Sequence, residues 1–181
     1  QEHDYTAPSV NGGGTQQTVY THNADRQLTL ITRPDGQGVQ LGYDSAGRLG
    51  TQTLPTGQIT YGYAPTTGNL ASVATGSGQT VLYAYDGSLL TQSQWTGPIT
   101  GTVSWTYDNN YRKTGQSVNG GNTVTFTYDA DDFLTGASIT TPSGPVTLTL
   151  TRHAQNGLIT GTSLNTVTDT LTYSGFGEVA T

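Results

Sequence analysis

Cysteine and methionine are both missing from this 181-residue chain. Without cysteine there is no disulfide framework and no thiolate metal site, and the redox compartment is left open. Charge is scarce as well: Asp, Glu, Lys and Arg make up 10% of the residues, where about 25% is typical. The six Lys and Arg are scattered and the formal net charge is −6, which excludes the basic stripe that nucleic acid requires. No apolar run approaches the ~20 residues of a membrane helix, and no signal peptide is visible at Gln1. No segment carries an apolar stripe of period 3.6 long enough for a helix. With Gln rather than Met at its start, the chain reads as a piece of something longer.

Hydrophobic residues amount to 32%, too few for an ordinary core, yet there are 11 Tyr and abundant Thr and Val. A disordered chain would have high charge and few aromatic or β-branched residues. The polarity therefore belongs to half-exposed strands. Val103-Ser104-Trp105-Thr106-Tyr107-Asp108 and Val124-Thr125-Phe126-Thr127-Tyr128-Asp129 show the pattern most clearly. Each alternates with period two, which predicts one packed and one wet face, and each ends on an Asp suited to starting a turn.

The second aromatic of this motif has equivalents at His22, Tyr43, Tyr63, Tyr85, Tyr107, Tyr128, Arg152 and Tyr173. Successive spacings are 21, 20, 22, 22, 21, 24 and 21 residues. Within each period a Gly-containing turn such as Asp44–Gly47 leads to a return strand opened by an apolar residue, such as Leu49, and a second turn closes it. The Asn-Gly and Asp-Gly pairs suit the positive φ of two-residue hairpin turns. The fold expected is all-β: a meander of consecutive antiparallel hairpins, period about 21 residues, in a coiled or spiralling sheet. Residues 1–18 read as the end of a preceding repeat or a linker, 19–179 as eight tandem repeats, and 180–181 as a truncated continuation. Equivalent Tyr residues would lie ~9.6 Å apart, so aliphatic residues of the return strand must fill the gap between rings. The ladder so predicted comprises Tyr43, Tyr61, Tyr63, Tyr83, Tyr85, Trp105, Tyr107, Phe126, Tyr128 and Tyr173.

Tyr83-Ala84-Tyr85-Asp86 and Tyr43-Asp44-Ser45-Ala46-Gly47-Arg48-Leu49 resemble the YD repeats of the Rhs family, which includes bacterial Rhs toxins, insecticidal toxin-complex shells, wall-associated proteins and teneurins. The resemblance runs from about Val19 to Val179, although His22-Asn23, Arg152-His153 and Tyr173-Ser174 lack Tyr-Asp. It implies a β-sheet shell around a C-terminal toxin cargo in a secreted or cell-surface bacterial protein. Its partners would be the remaining repeats and cargo of the same chain. The family's self-cleaving core carries Asp-Pro-x-Gly; no Asp-Pro occurs here, so that machinery is expected outside this stretch.

Other chemistry has weaker support. Asp129-Ala130-Asp131-Asp132 is acidic enough to attract Ca²⁺, but lacks the spacing, Gly and distal Glu of a calcium loop, so a turn is the simpler reading. His3, His22 and His153 are too far apart for a zinc motif. There is no Gly-x-Ser-x-Gly elbow, and the Gly12-Gly13-Gly14 and Gly120-Gly121 runs open no helix that could cradle phosphate. No cofactor, metal or catalytic residue is assigned. Arg48, Arg112 and Lys113 flank turns and read as solvated. Trp95, beside Gly97-Pro98, is the one aromatic placed to meet an external ligand such as a glycan. The alternative to a shell is an adhesive or filament-forming surface module that self-associates through open sheet edges. The ladder makes a quantitative prediction: emptying a packed aromatic site, by Tyr107→Ala or Tyr128→Ala, costs roughly 3–5 kcal/mol in a denaturant titration.

Overall fold

The computed structural model describes residues 5–6 and 17–180. The triglycine run and His3 lie outside them, as does most of the 1–18 segment. The described residues contain no helix. Two compact units are present, Gln1–Gly87 with Gln94–Thr100, and Ser88–Ser93 with Gly101–Thr181.

The first unit contains β1 (Tyr5–Thr6), β2 (Gln17–His22), β3 (Leu28–Thr32), β4 (Gly38–Tyr43), β5 (Leu49–Leu54), β6 (Gly57–Tyr63), β7 (Leu70–Thr75) and β8 (Thr80–Asp86). β9 (Leu89–Thr96) gives its end to this unit and its beginning to the second. The second unit continues through β10 (Gly101–Tyr107), β11 (Lys113–Val118), β12 (Val124–Tyr128), β13 (Leu134–Thr141), β14 (Gly144–Arg152), β15 (Ile159–Leu164) and β16 (Val167–Thr170). Within each unit, consecutive strands pair antiparallel in chain order, as the hairpin meander requires.

Cross-strand rows assign the faces. One row of the second unit runs Phe126, Ala137, Leu148, Leu164 and Val167, and the next runs Trp105, Gln116, Val124, Ile139 and Val146. In the first unit aromatic and aliphatic residues stand opposite one another, as at Tyr61 with Val73 and Tyr20 with Ile31. Trp105 instead pairs with Gln116, whose Oε1 accepts its indole N–H at 3.1 Å. The opposite face reads Thr106, Gly115, Thr125, Ser138, Thr147 and then Thr127, Gly136, Thr149, Ser163, Thr168. These two rows consist of Thr, Ser and Gly alone.

Neither face makes a closed core. Among the described residues no hydrophobic side chain is fully buried, and the ladder residues are all half-buried. The buried positions are Ser93, Gly115 and Gly136. The packed face expected from alternation is therefore a shared half-burial. Among the described residues, side chains are shielded by their neighbours along the row and not by a closed core.

A feature invisible to simple alternation recurs beside the turns. Thr106 pairs with Gly115 but Tyr107 pairs with Lys113, so Thr114 is an extra residue on the return strand. The same shift occurs at Thr21/His22, Gly42/Tyr43, Gly62/Tyr63, Thr127/Tyr128 and Thr151/Arg152. These are β-bulges, which bend a strand and increase its right-handed twist. The pair next to each bulge nearly always joins one glycine to one hydroxyl residue: Gly42–Thr51, Gly62–Ser72, Thr106–Gly115, Thr127–Gly136 and Thr151–Gly161. A Cβ built on Gly115 would lie 2.6 Å from Thr106 Oγ1, and one on Gly161 would lie 2.7 Å from Thr151 Oγ1. Thr21–Leu30 departs from the rule.

Gly115→Ala should therefore destabilise by about 1–3 kcal/mol, the usual cost of overpacking. The exchange Thr106→Gly with Gly115→Thr reproduces the Gly42–Thr51 arrangement and should restore most of that loss. A double-mutant cycle on denaturation midpoints checks this; additive losses would show that close approach is not what selects glycine.

Candidate functional site

The chemistry of the chain is concentrated along the line of turns that follow the YD motif. Six of them begin with a side chain that accepts backbone N–H groups; the turn after Tyr63 begins instead with Ala64. Asp44 Oδ1 takes those of Ala46 and Arg48, both at 2.9 Å, and Asp108 Oδ1 those of Asn110 and Arg112 at 2.9 and 3.0 Å. Asp129 does the same for Asp131 and Phe133, which makes the acidic cluster's first member a turn cap. Asn23 and Ser174 substitute in their own turns. His153 substitutes through Nδ1, which accepts the Gln155 N–H at 3.3 Å.

Apart from Gly87-Ser88, which alone separates β8 from β9, these turns are longer than the two-residue loops expected. Gly47 N–H bonds Asp44 O while Asp44 N–H bonds Arg48 O, which is a turn followed by one left-handed residue. That residue is Gly47 (φ 77°), but elsewhere it is Arg26 (63°), Tyr111 (64°) or Asp132 (67°). Two-residue connections occur at the opposite hairpin ends, between Leu54 and Gly57 and between Thr141 and Gly144.

The YD tyrosine reaches back one strand. Tyr43 Oη donates to Leu28 O at 2.8 Å, Tyr63 to Leu49 O at 2.9 Å, Tyr107 to Leu90 O at 2.8 Å, Tyr128 to Lys113 O at 2.8 Å and Tyr173 to Ile159 O at 2.6 Å. Leu28, Leu49, Lys113 and Ile159 each stand just ahead of the residue that is extra at their bulge. Arg152, which occupies a tyrosine position, retains the contact: its Nη2 donates to Leu134 O at 3.4 Å.

A second tie joins successive turns. The residue after the left-handed position donates to a carbonyl of the next turn: Gln27 Nε2 to Gly47 O (3.1 Å), Arg48 Nη1 to Gly68 O (3.4 Å) and Asn69 Nδ2 to Gly87 O (2.9 Å). Arg112 Nη1 bonds Asp129 O at 3.2 Å and Asp132 Oδ1 at 2.7 Å. Arg48 and Arg112 also pair through Nε with Asp44 Oδ2 and Asp108 Oδ2, both at 2.8 Å. Their guanidinium groups lie 4.2 Å over the Tyr63 ring and 4.9 Å over the Tyr128 ring. The reading of these arginines as solvated is thus corrected: each is held between two turns by carboxylate, carbonyl and ring. Lys113, read in the same way, lies 5.2 Å over the Trp105 ring.

The ties leave an electrostatic signature. The Arg48 N–H and then its side chain hold the Asp44 carboxyl below its ordinary value. At Asp108 burial pushes upward, but the hydrogen bonds from Arg112 outweigh it and the carboxyl is again lowered. The hydrogen bond to Asp108 in turn raises Arg112.

In the second unit a cleft of 490 Å³ opens between the Asp129 and His153 turns. Phe133 stands where Gln27, Arg48, Asn69 and Arg112 stand in their repeats, and it is 44% exposed. Arg152 lies 4.9 Å over its ring and donates through Nη1 to Gly157 O at 2.9 Å. The Arg152 Nε is buried without a partner. Elsewhere, Trp95 is 39% exposed near the end of β9, His22 is exposed beside the first bulge, and Asn119-Gly120 forms a tight turn with both φ angles positive. Alternation found the tyrosines but not their hydroxyl partners. The Gly/Thr exchange across Gly42–Thr51 and Thr106–Gly115 was the available sign of the bulge.

These features define a class: a β-repeat wall whose hairpins are tied side by side by bulge, tyrosine and turn. The particular family follows from comparison. The sequence profile described as Teneurin YD-shell matches residues 2–180, and the chain belongs to that family. No curated protein matches. Among solved structures, TcdB2-TccC3 without its hypervariable C-terminal region is similar with a TM-score of 0.71 and 19% identity over 91% of this chain. TcdB2-TccC3-Cdc42 is similar with a TM-score of 0.69 and 17% identity, also over 91%. This chain spans only 10% of the length of each.

Two measurements test the site. Half-burial lowers the cost expected for Tyr128→Ala to roughly 2–3 kcal/mol, part apolar area and part hydrogen bond. Tyr128→Phe should lose about 1 kcal/mol, and an unchanged midpoint would remove the Tyr128–Lys113 bond from the account. A carboxylate held below its unfolded value of about 3.9 stabilises the fold at neutral pH, and that stabilisation disappears as pH falls through its folded value. Asp108→Asn should therefore lower the unfolding midpoint at pH 7 and flatten its fall below about pH 4.

Proposed function

We propose that this chain is a non-catalytic length of wall in a YD-repeat shell that encloses a cargo domain of its parent protein, a toxin in bacterial members, and that the parent is secreted or exported. Residues 19–179 act as eight tandem repeats. The observation that carries this reading is the repeated tie. Five YD tyrosines, Tyr43, Tyr63, Tyr107, Tyr128 and Tyr173, and the inter-turn donors Gln27, Arg48, Asn69 and Arg112 spend their polar groups on the neighbouring strand or turn, so cohesion passes along the row and adds by nearest-neighbour terms. A bulge at the same place in six repeats supplies a recurring increment of twist, which favours a spiralling sheet over a flat ribbon. The hydroxyl face suits a wall that must not bind a partly folded cargo, because it offers neither charge nor a large apolar surface. No cofactor or metal enters this role.

Electron microscopy of the intact parent, combined with protease protection of its C-terminal domain, tests the proposal. A hollow particle that shields the domain until the shell is opened is the expected result. A fibre, or a C-terminal domain cleaved as fast as when expressed alone, would overturn it.

A further inference from the structure

From the cleft between the Asp129 and His153 turns, we infer that it is a receptor site for the guanidinium group of an arginine on another polypeptide segment. The molecule itself supplies the comparison. In two other repeats the corresponding slot holds an arginine from this chain. Arg48 is bound there by Asp44, the Tyr63 ring and Gly68 O, and Arg112 by Asp108, the Tyr128 ring and Asp129 O.

At the third slot the roles are exchanged. Phe133 occupies the arginine position and Arg152 the tyrosine position, so the cation–ring pair is retained with its partners reversed. Arg152 then does the work of two residues. It makes the tyrosine's bond, to Leu134 O, and reaches the next turn's carbonyl at Gly157. It does not reach Asp129: among the described residues no cation pairs with that carboxylate, whereas Asp44 and Asp108 each pair with an arginine. Asp129 Oδ1 caps its own turn, leaving Oδ2 as the counterpart of the oxygens that bind Arg48 and Arg112.

The surroundings favour a cation that is flat and partly apolar. Asp129 and Asp131 line the 490 Å³ cleft against the single positive charge of Arg152, and the Phe133 ring is 44% exposed. Arginine fits better than lysine because its planar fork can bond a carboxylate while stacking on a ring. The site lies within one repeat-to-repeat junction and does not rest on the shell reading, so either can fail alone.

The test uses the chain with N-acetyl-arginine amide and N-acetyl-lysine amide as probes, followed by NMR shifts of the Phe133 ring and the Asp129 amide. Saturable millimolar binding of the arginine probe, at least threefold tighter than lysine and lost in Asp129→Asn, is expected. Equal binding of both probes, or binding unaffected by Asp129→Asn, would overturn the site, as would no saturation. The double variant Phe133→Arg with Arg152→Tyr rebuilds the Arg112–Tyr128 arrangement. It should unfold at a higher midpoint than the parent and no longer bind the probe. A lower midpoint with probe binding retained would show that the slots are not equivalent.

Discussion

A sheet one layer thick cannot rely on a buried core, and this constraint shapes the rest of the structure. Among the described residues no hydrophobic side chain is fully buried, so each row must draw its stability from lateral neighbours. The tyrosine hydroxyl bond meets that need at the place where the ladder is irregular. Beside each of the six bulges the return strand carries an extra residue, and at four of them the tyrosine of the following repeat donates to the carbonyl just ahead of it. One side chain thus supplies apolar area to the row and a donor to the backbone.

The turns add a second line of cohesion, and their substitutions are informative. The cap is Asp, Asn, Ser or His, because any acceptor that short can reach the N–H groups ahead of it. The donor between turns is Gln, Arg or Asn, because the acceptor is a backbone carbonyl and demands only an N–H at the right distance. Arg152 shows how far this tolerance extends. At a tyrosine position it keeps the hydrogen bond, keeps the cation–ring contact by reversing its partners, and leaves Asp129 without its arginine. The repeat is defined by the bonds made rather than by the letters Tyr and Asp.

Membership of the Teneurin YD-shell family and likeness to parts of the TcdB2-TccC3 structures agree with this picture of hairpins tied in series. The conservation of architecture at 17–19% identity is physically reasonable. Backbone ladders, a bulge and hydrogen bonds to carbonyls specify very few side chains, so much of the surface can drift.

The sequence by itself determined the strands, their order and the capped turns. Period-two alternation in Val124–Tyr128, the 20–24 residue spacing of the tyrosine positions and their equivalents, and the Asp that follows Tyr43, Tyr85, Tyr107 and Tyr128 are local signals that no tertiary contact overrides. Only the tertiary structure decided the bulges at Thr114 and Thr135, the partners of the tyrosine hydroxyls and the placing of Arg48 and Arg112 between turns. Each of these depends on which residues of two different repeats lie side by side. A one-residue change of register moves every such partner to the other face, and the strand pattern alone does not reveal it.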